Sequence, residues 1–177
     1  MHKSIVFFVV LFSLIACSET KKEEQKINVN GGDFTLTLPE YMKKSENISS
    51  EGKAEYMYKN ENSYLFCVVY KDSKKDYKTG FKLADYYTYI ANDILNNYLD
   101  YGTLKPEKEI KINGKNALQF ELNGILMHSP GDQNSFFIVT VVESENAFYE
   151  IRTWCDYQSK SKFQLDMIEI AKSFKTN

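Results

Sequence analysis

Between residues 108 and 122 the chain reads Lys-Glu-Ile-Lys-Ile-Asn-Gly-Lys-Asn-Ala-Leu-Gln-Phe-Glu-Leu, with Asn113-Gly114 set between two alternating apolar runs. A two-residue reversal that follows the right-handed twist of its strands needs positive φ at both central positions, and Asn-Gly supplies this at least cost. The segment is predicted as a β-hairpin with a type I′ turn. It commits this part of the chain to antiparallel pairing.

Other runs extend that pattern. Phe34, Leu36 and Leu38 alternate with Asp33, Thr35 and Thr37, a half-buried strand stopped by Pro39. Residues 53–59 and 63–71 read as strands joined across Asn60-Glu61-Asn62, and residues 136–143 and 147–155 as a further hairpin across Ser144-Glu145-Asn146. The period then changes. Leu83, Tyr87, Ile90, Ala91, Ile94 and Tyr98 recur at three- and four-residue spacing, which predicts an amphipathic helix over 79–99 with Thr79 as N-cap. Gly102 follows it, and Pro106 prevents its resumption. Phe163, Met167, Ile170, Ala171 and Phe174 predict a closing helix over 161–174, opened by a capping box of Ser161 and Gln164. Strands joined by hairpins, with one helix between hairpins, give an α+β class with an antiparallel sheet packed by helices.

The N-terminus carries a different kind of signal. His2 and Lys3 lead into about twelve apolar residues that end at Ala16, too few for the roughly twenty a bilayer core requires. Leu14-Ile15-Ala16-Cys17 resembles the lipobox at which a lipoprotein signal is cleaved and the cysteine sulfur is lipidated. Residues 1–16 are therefore expected to be a lipoprotein signal peptide, Cys17 the lipidated residue, 17–32 a flexible tether and 33–177 one folded domain. The expected location is the bacterial cell envelope. Ser18 after the cysteine points to the outer membrane, with the periplasmic and surface faces both open. The membrane is thus one partner, held through the lipid.

The whole chain has 22 Lys and Arg against 24 Asp and Glu, a formal charge of −2. No basic field is available to release phosphate counterions, so nucleic acid is not an expected partner. Of three cysteines, lipidation of Cys17 leaves Cys67 and Cys155, which permit one disulfide or serve as small core residues.

Catalysis needs a base or nucleophile in a tunable site. After the signal segment the chain has one histidine, His128, in a connection of about a dozen residues shared with Ser129 and Asp132. Triad members ordinarily come from separated segments, so this loop is a binding candidate rather than a catalytic one. No metal-ligand spacing and no phosphate-binding glycine loop occurs; no metal or cofactor is expected, and the chain reads as a non-enzyme. The unusual feature is aromatic: thirteen Tyr and twelve Phe. Tyr56, Tyr58, Tyr64 and Tyr70 cluster on two neighbouring strands, while Tyr86 and Tyr89 fall off the apolar helix face set by Leu83, Tyr87 and Ile90. An exposed Tyr patch is a candidate surface for a protein partner or a glycan. Trp154 reads as core.

The opening Phe-x-Leu-x-Leu-Pro strand, the helix after the third strand, the Ile110 to Ala117 hairpin, the Tyr149-x-Ile-x strand and the closing Ile170-Ala-Lys-Ser173-Phe174 together resemble the Mog1/PsbP-like superfamily over residues 33–175. The resemblance implies an α/β/α sandwich. Its members include photosystem accessory subunits, a small-GTPase cofactor and bacterial envelope lipoproteins, so it implies binding roles without selecting one. The expectation is a lipid-anchored, non-enzymatic envelope protein that serves a protein partner as accessory or assembly factor. The alternative is a small-ligand or glycan-binding lipoprotein.

Overall fold

The computed structural model describes residues 25–28, 34–45, 48, 52, 54–127 and 132–176. In chain order the strands are β1 (Gln25–Asn28), β2 (Phe34–Leu38), β3 (Lys43–Lys44), β4 (Ala54–Lys59), β5 (Tyr64–Ser73), β6 (Leu99–Leu104), β7 (Lys108–Ile112), β8 (Lys115–Leu126), β9 (Asn134–Glu143), β10 (Ala147–Asp156) and β11 (Lys175–Thr176). Helix α1 is Leu83–Asn97 and α2 is Lys160–Ser173. The main sheet runs β3-β4-β5-β10-β9-β8-β6, with β7 also on β8, and every described pairing is antiparallel. A small sheet, β1-β2-β11, lies beside α2.

Period-two alternation places one hydrophobic set on each face of the main sheet. On one face, Phe136, Ile138, Tyr149, Ile151, Leu65 and Cys67 pack under β2 and α2, which contribute Phe34, Leu36, Phe163, Met167 and Ile170. On the other, Phe120, Phe137, Val139, Val141 and Phe148 pack under α1 through Leu83, Tyr86, Ile90 and Ile94. Buried on both faces, β9 and β10 are the spine of the α/β/α sandwich.

The predicted turn forms as read: Asn113 has φ 46 and Gly114 φ 81, and β7 pairs with β8 across them. The sequence reading fails mainly at boundaries. Helix α1 begins at Leu83 rather than at Thr79, because the Lys82 backbone N–H donates to Asp85 Oδ2 at 2.8 Å and closes the first turn there. Helix α2 follows a 3₁₀ turn, Tyr157–Ser159, capped by Asp156, whose Oδ1 accepts from the Ser159 N–H at 2.9 Å; Ser161 is already inside the helix. Residues 99–104, read as a helix exit, form edge strand β6. Gly124 of β8 admits that strand, since a Cβ there would lie 3.0 Å from the Asp100 carbonyl oxygen and from Gly102 Cα. Within the expected tether, Gln25–Asn28 pairs with β2.

Candidate functional site

Where α1 ends, the sheet continues toward β4 with none of the described helices above it, and a cavity of about 830 Å³ opens there. Its floor is a row of rings. Trp154 on β10 lies directly across from Phe66 on β5 and Phe137 on β9. The indole stacks on both, at 4.9 Å and 21° to Phe66 and at 5.8 Å and 12° to Phe137. Near-parallel rings on the strands to either side cover both faces of the indole. The cavity therefore meets their edges.

Arg152, one pleat along β10 from Trp154, also lines this cavity and is only 5% exposed. Its Cζ lies 5.0 Å from the Tyr70 ring and 4.9 Å from the Tyr98 ring, a guanidinium clamped between two π faces. Its Nε donates to Glu150 Oε1 at 2.5 Å, and one terminal nitrogen lies 3.8 Å from Asp93 Oδ2 on α1. Burial opposes the charge on Arg152, but Glu150 more than offsets it and holds the guanidinium firmly protonated. Burial pushes the Glu150 carboxyl up, and Arg152 recovers only part of that shift. Beneath α1 the polar group continues through Asp72, whose Oδ2 accepts from Tyr77 and Tyr86 hydroxyls, both at 2.9 Å. This is a satisfied structural network with one cation at the cavity wall.

The sequence-predicted site residues separate. Tyr64 and Tyr70 line the cavity. Tyr56 and Tyr58 instead face α2, with Tyr58 against Tyr41 and Phe163 at 5.0 and 5.8 Å, because the connection from β4 to β5 has four residues rather than three. Asn60 makes that turn: its Oδ1 accepts from the Asn62 and Ser63 backbone N–H groups at 2.9 and 2.8 Å. Lys59 thus pairs with Tyr64, which shifts the register by one and sends Tyr56 to the opposite face. Tyr86 is fully buried, correcting its placement off the apolar face; it stacks on Phe148 at 4.7 Å. Tyr89 is 54% exposed, as read. Asp132 is exposed, whereas His128 and Cys17 lie outside the described residues.

Cys67 and Cys155 are free and buried, not joined. In the β5/β10 register Cys67 faces Thr153 and Cys155 faces Leu65, so the two thiols are diagonal neighbours. A diagonal pair lies about 7–8 Å apart, beyond the Cβ separation of about 4 Å that a disulfide spans. Burial pushes both thiols up to about 12.

Four residues take roles that the sequence reading did not assign them. Arg152 and Tyr98 meet only through tertiary packing, and Trp154, read as core, does pack partly buried against the α1-side core while also forming the cavity floor. The fourth, Tyr101 on β6, carries no sequence signal; it is 88% exposed and held at φ 53. Among the described residues no group of His, Cys, Asp and Glu has metal-ligand geometry, and no helix is long and apolar enough to cross a membrane.

Neither a protein-family model nor a curated protein matches this chain. Solved structures do. The solution structure of cyanobacterial PsbP from Synechocystis sp. PCC 6803 superposes with a TM-score of 0.60 at 11% identity, covering 93% of this chain and 99% of that one. LpqN of Mycobacterium tuberculosis, described as involved in cell envelope biogenesis, gives 0.60 at 12% identity over 88% and 91%. The Saccharomyces cerevisiae Ran-binding protein Mog1p gives 0.54 at 10% identity over 87% and 95%. At such identities the likeness is one of fold, and the fold is the Mog1/PsbP-like α+β architecture.

Proposed function

We propose that this chain is a lipid-anchored, non-enzymatic protein of the bacterial cell envelope whose folded domain binds another protein as an accessory or assembly factor. The observation that carries the reading is the outer edge of the main sheet. Tyr101 stands there 88% exposed, with Leu104 37% exposed on the same strand. A positive φ costs a bulky L-residue roughly 1–2 kcal/mol, and such strain persists only where the surrounding structure imposes it. Here a register shift between Asp100 and Thr103 imposes it. The shift projects a pre-positioned aromatic ring into solvent, the residue type that dominates interface energetics. Among the described strands, none pairs with the outer side of β6, which leaves backbone donors and acceptors for a partner.

The lipobox-like Leu14-Ile15-Ala16-Cys17 supports the anchor, and Ser18 supports outer-membrane sorting. The envelope role described for LpqN and the Ran binding of Mog1p are accessory or binding roles carried on this fold, and both favour the reading.

The test is cross-linking of the intact chain in its native membrane, followed by mass spectrometry, with Tyr101→Ser run in parallel. One near-stoichiometric partner is expected with the wild-type chain, its recovery falling at least about tenfold in the variant, as for an interface hot spot. Equal recovery from both chains, or nothing above background, overturns the proposal. For the anchor, Cys17→Ala is expected to abolish lipid labelling and accumulate precursor; retained labelling shows the signal to be misread.

A further inference from the structure

The cavity at the end of α1 belongs to neither the edge strand nor the anchor, and its lining has a consistent chemistry. We infer that it binds an anionic amphiphile, a carboxylate or phosphate carried on an aliphatic tail.

Size, surface and charge each lead there. At about 830 Å³ the cavity falls within the range of small-molecule sites, about 300–1,000 Å³. Its walls are more apolar than polar, the apolar part coming from Phe66, Phe137, Trp154, Leu126 and Met57. Both charged side chains among its described lining residues are cations, Arg152 and Lys59. In the sheet register they bracket the aromatic row: Trp154, Phe66 and Met57 share one level, Lys59 pairs with Tyr64 one pleat outward, and Arg152 pairs with Val68 one pleat inward.

The ring geometry narrows the class further. Sugars and planar bases bind aromatic side chains by their faces, and both faces of Trp154 are already taken by Phe66 and Phe137. What the floor presents is ring edge, the positive rim of the aromatic quadrupole, which suits aliphatic carbon and an anion. At the inner end the guanidinium is held in place before any ligand arrives, by Glu150 and by the Tyr70 and Tyr98 rings. Of its five N–H donors, Nε is committed to Glu150 and one terminal nitrogen lies 3.8 Å from Asp93 Oδ2; the remaining terminal donors are those an anionic head would take. The tail then lies along Phe66, Trp154 and Phe137, with Lys59 at the mouth.

Trp154 is the chain's single tryptophan, so its emission reports on this cavity alone. The experiment titrates the intact chain, reconstituted in phosphatidylcholine vesicles, with laurate, dodecyl phosphate or dodecanol below micellar concentrations, and corrects for partition into empty vesicles. Laurate or dodecyl phosphate is expected to change the emission saturably, at least about tenfold more tightly than dodecanol; which of the two binds better identifies the head group. Lys59→Glu, an exposed change, is expected to weaken the anion at least threefold while leaving dodecanol unchanged. Arg152→Met should remove the preference over dodecanol, and because that variant disturbs a buried pair, Lys59→Glu decides the matter if it does not fold. Equal binding of dodecanol and laurate, or no saturable change with any probe, overturns the inference. Partner recovery is a separate readout, so loss of one proposal leaves the other standing.

Discussion

At the scale of the residue, burial sets the chemistry of this protein more than proximity does. Arg152 and Glu150 sit two apart on one strand and face the same side, a spacing that sequence displays; their burial under α1 and the clamp of Tyr70 and Tyr98 it does not. The same holds for Cys67 and Cys155. Small side chains in strand runs were legible as either core or disulfide, and the diagonal register decided for core. A thiol near 8.5 in the unfolded chain and near 12 in the native one keeps its proton in the fold. Below about pH 8.5 the thiols cost nothing in stability. Above it the unfolded state binds fewer protons than the native state, and stability falls with pH by about 1.4 kcal/mol per unit for each thiol. In a Cys17→Ser background, denaturant titrations from about pH 8.5 to 10 are expected to show this fall, and the Cys67→Ala/Cys155→Ala double variant a flatter profile. Ellman's reagent is expected to leave both thiols untouched until the protein unfolds. Rapid reaction of the native protein refutes the burial argument.

At the scale of the element, turn chemistry was the most readable signal and strand ends the least. Asn113-Gly114 announced its hairpin because the required φ values are a local property of two residues. Its second role was hidden: Asn113 Nδ2 donates to the Phe174 carbonyl oxygen at 2.5 Å, tying the turn to the end of α2. Asn113→Ala therefore loses a hydrogen bond to the helix end and places a Cβ-bearing residue without a polar side chain at positive φ. The expected loss is about 2 kcal/mol by urea denaturation, against about 1 kcal/mol for Gly114→Ala, which bears only the backbone strain. Equal losses would show that the tie contributes nothing. By contrast, the β4/β5 connection was misread by one residue. Asn60 bonds two backbone N–H groups of its own turn, and that single residue moved Tyr56 and Tyr58 away from Tyr64 and Tyr70.

At the scale of the whole molecule, two hydrophobic cores share one sheet. β9 and β10 contribute to both, through Phe136 and Tyr149 on the α2 side and Phe137 and Phe148 on the α1 side. A strand buried on both faces couples the layers, so the described domain is expected to unfold in one transition. Ile94→Ala removes core from the α1 face and Ile170→Ala from the α2 face; each is expected to cost about 2–5 kcal/mol. Their midpoint shifts should add, with the denaturant slope unchanged. A second transition in either variant would show the faces to be independent units.

What this sequence determined by itself is the order and kind of its main elements: hairpins, a long central helix, a closing helix and an antiparallel α+β class. Hydrophobic period and turn φ are properties of a few neighbouring residues, so they survive without knowledge of the rest. Only the tertiary structure decided which face of the sheet each tyrosine occupies, that residues 99–104 pair as an edge strand with Tyr101 exposed, and that Tyr98, Arg152 and Trp154 meet at one cavity. Those depend on register, where one residue inverts every side chain of a strand, and on contacts between segments far apart in the chain, which periodicity does not encode.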